Sequence, residues 1–146
     1  MAPVDVIQGN GTYRIVNAKS QTLLDLSQGD QRSIIGWPRN DAANQHWTLL
    51  WAGNAWHIQS PSNGLYLGLG GSGTPGDGVP LIATAEPTTG WDIWQDNVNP
   101  EAYRIFIPNT FLNWDLWANG DATPGNPVTL WTSWSGIHQT WKFEPV

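Results

Sequence analysis

The chain contains no cysteine, few charged residues and no long apolar run. The absence of cysteine excludes disulfide bridges, thiolate metal ligands and cysteine nucleophiles. Lys and Arg number 6 against 12 Asp and Glu, so the formal net charge is −6 and binding to nucleic acid phosphates is not expected. No segment approaches the roughly 18 apolar residues of a membrane-spanning helix, so membrane insertion is not expected either.

Tryptophan, glycine and proline are abundant instead. The 146 residues include 11 Trp, 16 Gly and 11 Pro, and this composition favours an all-β chain. Residues 1–10 contain Asp5 and no basic residue, which argues against a secretory signal peptide and predicts a cytoplasmic protein.

Three similar segments follow one another along the chain. A triplet that ends in Trp recurs every 47 residues, as Gln45-His46-Trp47, Asp92-Ile93-Trp94 and Gln139-Thr140-Trp141. The same offset aligns residues 33–37 with 80–84 and 127–131. A further anchor is Leu24-Asp25-Leu26, which corresponds to Leu67-Gly68-Leu69 and Trp114-Asp115-Leu116. The repeats therefore span approximately residues 11–52, 53–99 and 100–146.

Each repeat shows four short apolar or alternating runs separated by turn residues, the pattern of a sandwich or barrel. In the first repeat the predicted strands lie near residues 12–16, 22–26, 33–37 and 46–51. A propeller would need at least about four such units to close, whereas three can pool their strands into one capped barrel. The sequence therefore predicts a single β-trefoil domain over residues 1–146 with pseudo-threefold symmetry and no long helix.

Three repeats that end in Gln-x-Trp or a near variant resemble the ricin B-type β-trefoil lectins, particularly the small single-domain lectins of mushrooms. The resemblance covers Gly11 to Val146. It implies a sugar-binding protein with up to three shallow sites and no catalysis. Because the sequence lacks the carboxylate cluster of calcium-dependent sugar binding, neither calcium nor another cofactor is expected. The resemblance also implies terminal galactose or N-acetylgalactosamine-type ligands on glycoproteins or glycolipids, and a defensive role. A second site or a homodimer would raise the avidity of such sites.

Asp25 and Asp115 are the predicted hydrogen-bonding carboxylates of two sites. Each lies between apolar neighbours on a strand, so alternation turns the carboxylate to the other face. The aligned middle residue is Gly68, so the barrel itself does not require a carboxylate there. A turn-capping role remains the alternative. Asp25→Ala is expected to remove most glycan binding without lowering the melting temperature.

Trp37 and Trp131 are the predicted stacking walls, because both occur in the repeats that carry Asp and the middle repeat has Thr84 instead. The C–H face of a sugar ring packs well on an indole, although packing at the barrel rim would also explain these residues. Trp47, Trp94 and Trp141 recur in all three repeats and are therefore predicted to fill the core.

The resemblance implies a third element, an Asn before the Gln of Gln-x-Trp. The first repeat provides Asn44 and Gln45, and the third provides His138 before Gln139. His138 either donates to a sugar hydroxyl, with binding then sensitive to pH near 6 to 7, or is a surface residue without a role. The middle repeat has Trp91 and Asp92 at these positions. The sites therefore rank first, third and middle, with the middle one silent.

Other functions find weaker support in the sequence. The stretch from Gly68 to Gly73 matches the G-x-G-x-x-G fingerprint, but a turn follows where dinucleotide binding needs a helix. No repeat offers the paired carboxylates of a glycosidase, and His46, His57 and His138 do not form a metal-binding pattern. The main alternative is a β-trefoil protease inhibitor that acts through exposed loops.

Overall fold

A computed structural model describes Ile7 and residues 9–146. The expectation that residues 1–10 contain no signal peptide concerns a segment that lies mostly outside these residues. The described chain forms twelve β-strands, β1 (Thr12–Asn17), β2 (Leu23–Leu26), β3 (Ile34–Trp37), β4 (Trp47–Trp51), β5 (Trp56–Gln59), β6 (Tyr66–Leu69), β7 (Leu81–Thr84), β8 (Asp92–Gln95), β9 (Tyr103–Phe106), β10 (Leu112–Leu116), β11 (Asn126–Thr132) and β12 (Trp141–Pro145).

Among the described residues, helical structure is limited to short segments. A four-residue helical segment, α1 (Trp117–Gly120), follows β10, and single 3₁₀ turns at Ala43–Gln45 and Ile137–Gln139 precede β4 and β12. Ala118 and Asn119 have left-handed backbone angles, with φ of 54° and 56°, so α1 is a tight turn rather than a regular helix. Nowhere in the described chain is there a helix with the length and apolar character needed to cross a membrane.

Six strands close into a barrel. The hydrogen-bonded ring runs β1, β4, β5, β8, β9, β12 and back to β1, with the β5–β8 contact made by the Trp56–Trp91 bridge. Three equivalent cross-strand pairs mark the repeats, namely Tyr13 with Trp47, Trp56 with Trp91, and Tyr103 with Trp141. Closure leaves the barrel without a free sheet edge.

The other six strands form three hairpins, β2–β3, β6–β7 and β10–β11. They meet one another through Ser33–Ile82, Pro80–Thr129 and Pro127–Ile35, so the hairpins form a triangular cap over one end of the barrel. Four strands per repeat, a six-stranded barrel and a three-hairpin cap make the fold an all-β β-trefoil, as the sequence predicts.

Four fully buried indoles fill the centre, those of Trp47, Trp91, Trp114 and Trp141. The Nε1–H groups of three of them each donate to the backbone carbonyl of the same position in the cap hairpin, at Leu24, Leu67 and Trp114. The Trp91 and Trp141 rings pack edge-on against Trp114, with centroids 5.5 and 5.9 Å away. Trp47 and Trp141 are thus core residues, as the sequence predicts.

The prediction that Trp94 fills the core is wrong. Its side chain is 61% exposed, and Trp91 takes the equivalent buried position in the middle repeat. Residues an odd number of positions apart on a strand face opposite sides, so Trp94 points outward when Trp91 points inward. The regular spacing of 47 residues is a coincidence in the middle repeat, which reads Thr89-Gly90-Trp91 where the others read Gln-x-Trp.

Candidate functional site

Asp25 lies on β2 in the first repeat, at the position where the sequence predicts a site. Its side chain is 2% exposed, and its Oδ2 atom accepts hydrogen bonds from Gln45 Nε2 at 2.9 Å and Asn44 Nδ2 at 3.0 Å. Within the part of the chain that the structure describes, no group donates to the other oxygen, Oδ1. One oxygen therefore anchors the carboxylate and the other is left for a ligand.

The environment of Asp25 also affects its protonation. Burial raises the pKa of the Asp25 carboxyl above its ordinary value of 3.8, and the hydrogen bonds from Gln45 and Asn44 oppose that rise. A buried carboxylate pays a desolvation cost that a ligand donating hydrogen bonds would offset.

Gln45 and Asn44 support Asp25 from below. Gln45 is fully buried, its Nε2 also donates to the Pro38 carbonyl at 2.9 Å, and its Oε1 accepts from the Asn40 backbone N–H at 3.0 Å. Asn44 is 5% exposed, and its Nδ2 donates to the Leu26 carbonyl as well as to Asp25. The 3₁₀ turn therefore holds Gln45 as a positioning residue and leaves Asn44 at the edge of the site.

Trp37 stands beside Asp25 on the same face of the β2–β3 hairpin. Asp25 pairs with Ile35, and Trp37 lies two residues further along β3, so both side chains share one side. The indole of Trp37 is 41% exposed. The first-repeat site (Asp25, Trp37, Asn44 and Gln45) thus joins a carboxylate oxygen without a protein donor among the described residues to an open aromatic surface.

The third repeat builds the same arrangement around Asp115. Its Oδ2 accepts from Gln139 Nε2 at 2.8 Å and lies 3.1 Å from His138 Nε2, while its Oδ1 has no donor among the described residues. Burial lowers the pKa of His138 below its ordinary value of 6.5, and the Asp115 charge opposes that shift. His138 is buried, so the alternative that places it at the surface is wrong in that respect.

The third-repeat pocket (Asp115, Trp117, Trp131, Trp134 and His138) has more aromatic surface than the first-repeat site. Trp131 is 39% exposed, and Trp117 and Trp134 are about half exposed. Sequence reasoning missed Trp117 and Trp134. The equivalent first-repeat positions hold Ser27 and Asn40, so a comparison of repeats contained no signal for them.

The middle repeat lacks both components of such a site. A Cβ atom at Gly68 would lie 2.8 Å from the Thr84 Cγ2 atom, so Thr84 fills the space that a carboxylate would need. The prediction that Trp91 and Asp92 take the Asn and Gln positions is wrong, because Trp91 is the buried core indole. Thr88 and Thr89 occupy those positions in the correct register.

Two competing site types find no structural basis. The chain from Gly70 to Pro80 is a turn-rich loop, and no helix begins there to receive a pyrophosphate. The described residues contain no group of three or more His, Cys, Asp or Glu side chains placed to hold a metal ion.

Comparison with known proteins places this geometry in a family. The protein-family model described as ricin-type beta-trefoil lectin domain-like matches this sequence over residues 5–84 and 43–131. The Macrolepiota procera ricin B-like lectin, whose structure in complex with lactose is known, is 48% identical, with a TM-score of 0.91 over 94% of this chain and 97% of that one. The comparison with curated protein sequences found no match.

Two further fungal structures agree in fold. The Rhizoctonia solani agglutinin is 23% identical, with a TM-score of 0.83 over 96% of this chain and 98% of that one. A Polyporus squamosus lectin bound to Neu5Aca2-6Galb1-4GlcNAc is 26% identical, with a TM-score of 0.74 over 94% of this chain and 49% of that one. The chain therefore belongs to the ricin-type β-trefoil lectin family.

Proposed function

We propose that this protein binds glycans that end in galactose or N-acetylgalactosamine, through the first-repeat site and the third-repeat pocket. The observation that carries the proposal is the repeated carboxylate, which is anchored through Oδ2, left open at Oδ1 and placed beside an exposed indole. A lectin of 48% identity is in complex with lactose, a disaccharide whose terminal sugar is galactose, which supports this sugar class.

The two sites would bind a sugar with the same two groups, a carboxylate and an indole, but they differ in the residues around these groups. The free oxygen of each Asp accepts hydrogen bonds from two neighbouring hydroxyls, and such charge-assisted bonds contribute about 1.5–3 kcal/mol each. The indole packs on the C–H face of the ring. In the first-repeat site the Asn44 amide anchors the carboxylate, whereas the third-repeat pocket has His138 at that position and two more indoles. Open sites of this kind bind a single sugar with Kd of roughly 0.1–1 mM.

Substitution of Asp by Asn tests the proposal more sharply than substitution by Ala. Asp25→Ala would leave the buried amides of Asn44 and Gln45 without their acceptor, at about 1–3 kcal/mol of stability, so an unchanged melting temperature is no longer expected. In Asp25→Asn the amide oxygen still accepts those bonds, and only the free acceptor becomes a donor.

The experiment is a calorimetric titration of lactose into the wild type, Asp25→Asn, Asp115→Asn and the double variant, with maltose as the control sugar. Each single variant should lose one site by at least about tenfold in affinity, and the double variant should not bind. Asp92→Asn, the same change on β8 of the middle repeat, serves as the matched control and should bind normally. Full lactose binding by the double variant would contradict the proposal.

Three finer expectations belong to the same proposal. Binding should be independent of calcium, so dialysis against EDTA should leave the lactose titration unchanged. A cytoplasmic location and a defensive role against organisms that ingest the cell complete the proposal. Cell fractionation and a feeding assay that compares the wild type with the double variant would test them.

A further inference from the structure

A second depression lies next to the third-repeat pocket, outside the sites described so far. We call it the Trp94 groove, and its main residues are Trp94, Asp96, Arg104, Phe106 and Trp134. Its volume of about 790 Å³ exceeds the 440 Å³ of the third-repeat pocket. The β8–β9 turn forms one side of the groove, and the chain from Ser133 to Ile137 forms the other.

The groove and the pocket share a wall and a hydrogen-bond network. Trp134 lines both of them, so its half-exposed indole is the ridge between the two depressions. Beneath this ridge, Arg104 Nη1 donates to Gln139 Oε1 at 3.0 Å, and Gln139 Nε2 donates in turn to Asp115 Oδ2. A ligand seated at Asp115 can therefore continue over Trp134 into the groove without leaving the surface.

The chemistry of the groove suits a neutral, hydroxyl-rich chain. Trp94 is 61% exposed and Trp134 50%, and both offer flat surfaces for sugar rings. At the base, Arg104 Nε forms an ion pair with Asp96 Oδ1 at 2.8 Å, so the two charges compensate each other. Nothing in the described chain accepts from Arg104 Nη2, which leaves N–H donors for ligand oxygens.

The first repeat closes the corresponding surface. In the strand pairing of β8 with β9, Trp94 lies opposite Arg104. In the equivalent pairing of β12 with β1, Glu144 lies opposite Arg14, so Glu144 is the counterpart of Trp94. Arg39, the counterpart of Ser133, reaches across to Glu144 with two hydrogen bonds of 2.8 and 2.9 Å. The first-repeat site therefore has an ion pair where the third-repeat pocket has an open groove.

We infer that the Trp94 groove is an extension of the third-repeat pocket that binds the inner sugars of a neutral oligosaccharide whose terminal sugar lies at Asp115. This inference rests on the proposed function. It means that the two sites differ in ligand length: the first-repeat site recognises the terminal sugars alone, and the third-repeat pocket recognises a longer chain.

The test isolates each site by its Asp→Asn variant and compares two ligands, N-acetyllactosamine and lacto-N-neotetraose, a neutral linear tetrasaccharide that ends in the same disaccharide. In Asp25→Asn, where the third repeat alone is intact, the tetrasaccharide should bind more tightly, by roughly 2- to 13-fold for each further sugar ring that packs on an indole. In Asp115→Asn the two ligands should bind equally.

Adding Trp94→Ala to Asp25→Asn should bring the affinity ratio of the two ligands close to one. Trp51→Ala is the matched control, because Trp51 is also an exposed indole, at 55%, but does not line the groove. Its ratio should equal that of Asp25→Asn alone.

The possible failures are distinguishable. Equal affinity for the two ligands in Asp25→Asn, or a ratio unaffected by Trp94→Ala, would overturn the groove while leaving the proposed function intact. Binding of neither ligand by Asp25→Asn would overturn both the groove and the proposed function of the third repeat. A preference that requires a sialylated form of the tetrasaccharide would overturn the assignment to neutral chains.

Discussion

Replacing Trp91 by alanine would remove a fully buried indole from the centre of the barrel. The side chain packs edge-on against Trp114 at 5.5 Å and donates from Nε1 to the Leu67 carbonyl at 3.3 Å. Loss of a buried Trp side chain costs about 3–5 kcal/mol, because apolar contacts disappear and the remaining cavity closes only partly. For a chain of this size that corresponds to a decrease in melting temperature of roughly 6–20 °C.

Trp94→Ala is the matched control, since it removes the same type of side chain three residues later in the chain, on β8. Its indole is 61% exposed and makes no hydrogen bond with the described residues, so we expect a change of about 0.5 kcal/mol in the free energy of unfolding. Urea and thermal unfolding followed by circular dichroism would measure both variants.

The result bears directly on the register of the middle repeat. If Trp94→Ala destabilised the protein as much as Trp91→Ala, the indole at position 94 would have to be the core residue. In that case the spacing of 47 residues would be correct and the described β8 register wrong. A small effect for both variants would instead contradict the buried aromatic cluster itself.

Two further predictions concern the sites. Because burial raises the pKa of Asp25 above 3.8, lactose binding by Asp115→Asn should weaken as the pH falls towards 3.8, and binding that persists to that pH would contradict the raised value. A raised pKa also means that the folded state binds a proton at Asp25 more readily than the unfolded state does. As the pH falls towards 3.8, the contribution of Asp25 to the free energy of unfolding should therefore increase. Gly68→Asp should not create a site in the middle repeat, because Thr84 occupies the space that the carboxylate would need. We expect an unchanged lactose stoichiometry and a decrease of about 1–3 kcal/mol in the free energy of unfolding. An additional lactose-binding site would refute this prediction.

Several features followed from local pattern alone. In the first repeat the predicted strands agree with β1 to β4 to within about one residue, because alternation and turn residues act over a few neighbouring positions. The pairing of Asp25 with Ile35 and of Asp115 with Thr129 also follows from the aligned hairpins. Because each Asp and its neighbouring Trp lie on the two strands of one hairpin, comparison of the repeats was enough to identify Asp25 with Trp37 and Asp115 with Trp131.

The middle repeat shows why spacing can mislead. Trp91 lies 44 residues after Trp47 and 50 before Trp141, so a shorter and a longer interval compensate each other. Trp94 then appears at the midpoint by chance. Only closure of the barrel, with Trp91 opposite Trp56, shows which indole points inward.

The sequence by itself determined the three-repeat β-trefoil and the two Asp–Trp pairs, since these depend on strand alternation within single hairpins. The tertiary structure alone decided which middle-repeat tryptophan is buried, that Trp117 and Trp134 enlarge the third-repeat pocket, and that the Trp94 groove adjoins it. Trp94 and Trp134 are 40 residues apart and belong to different repeats. Their proximity results from packing of the β8–β9 turn against the segment before β12, and periodicity within one strand carries no information about such a contact.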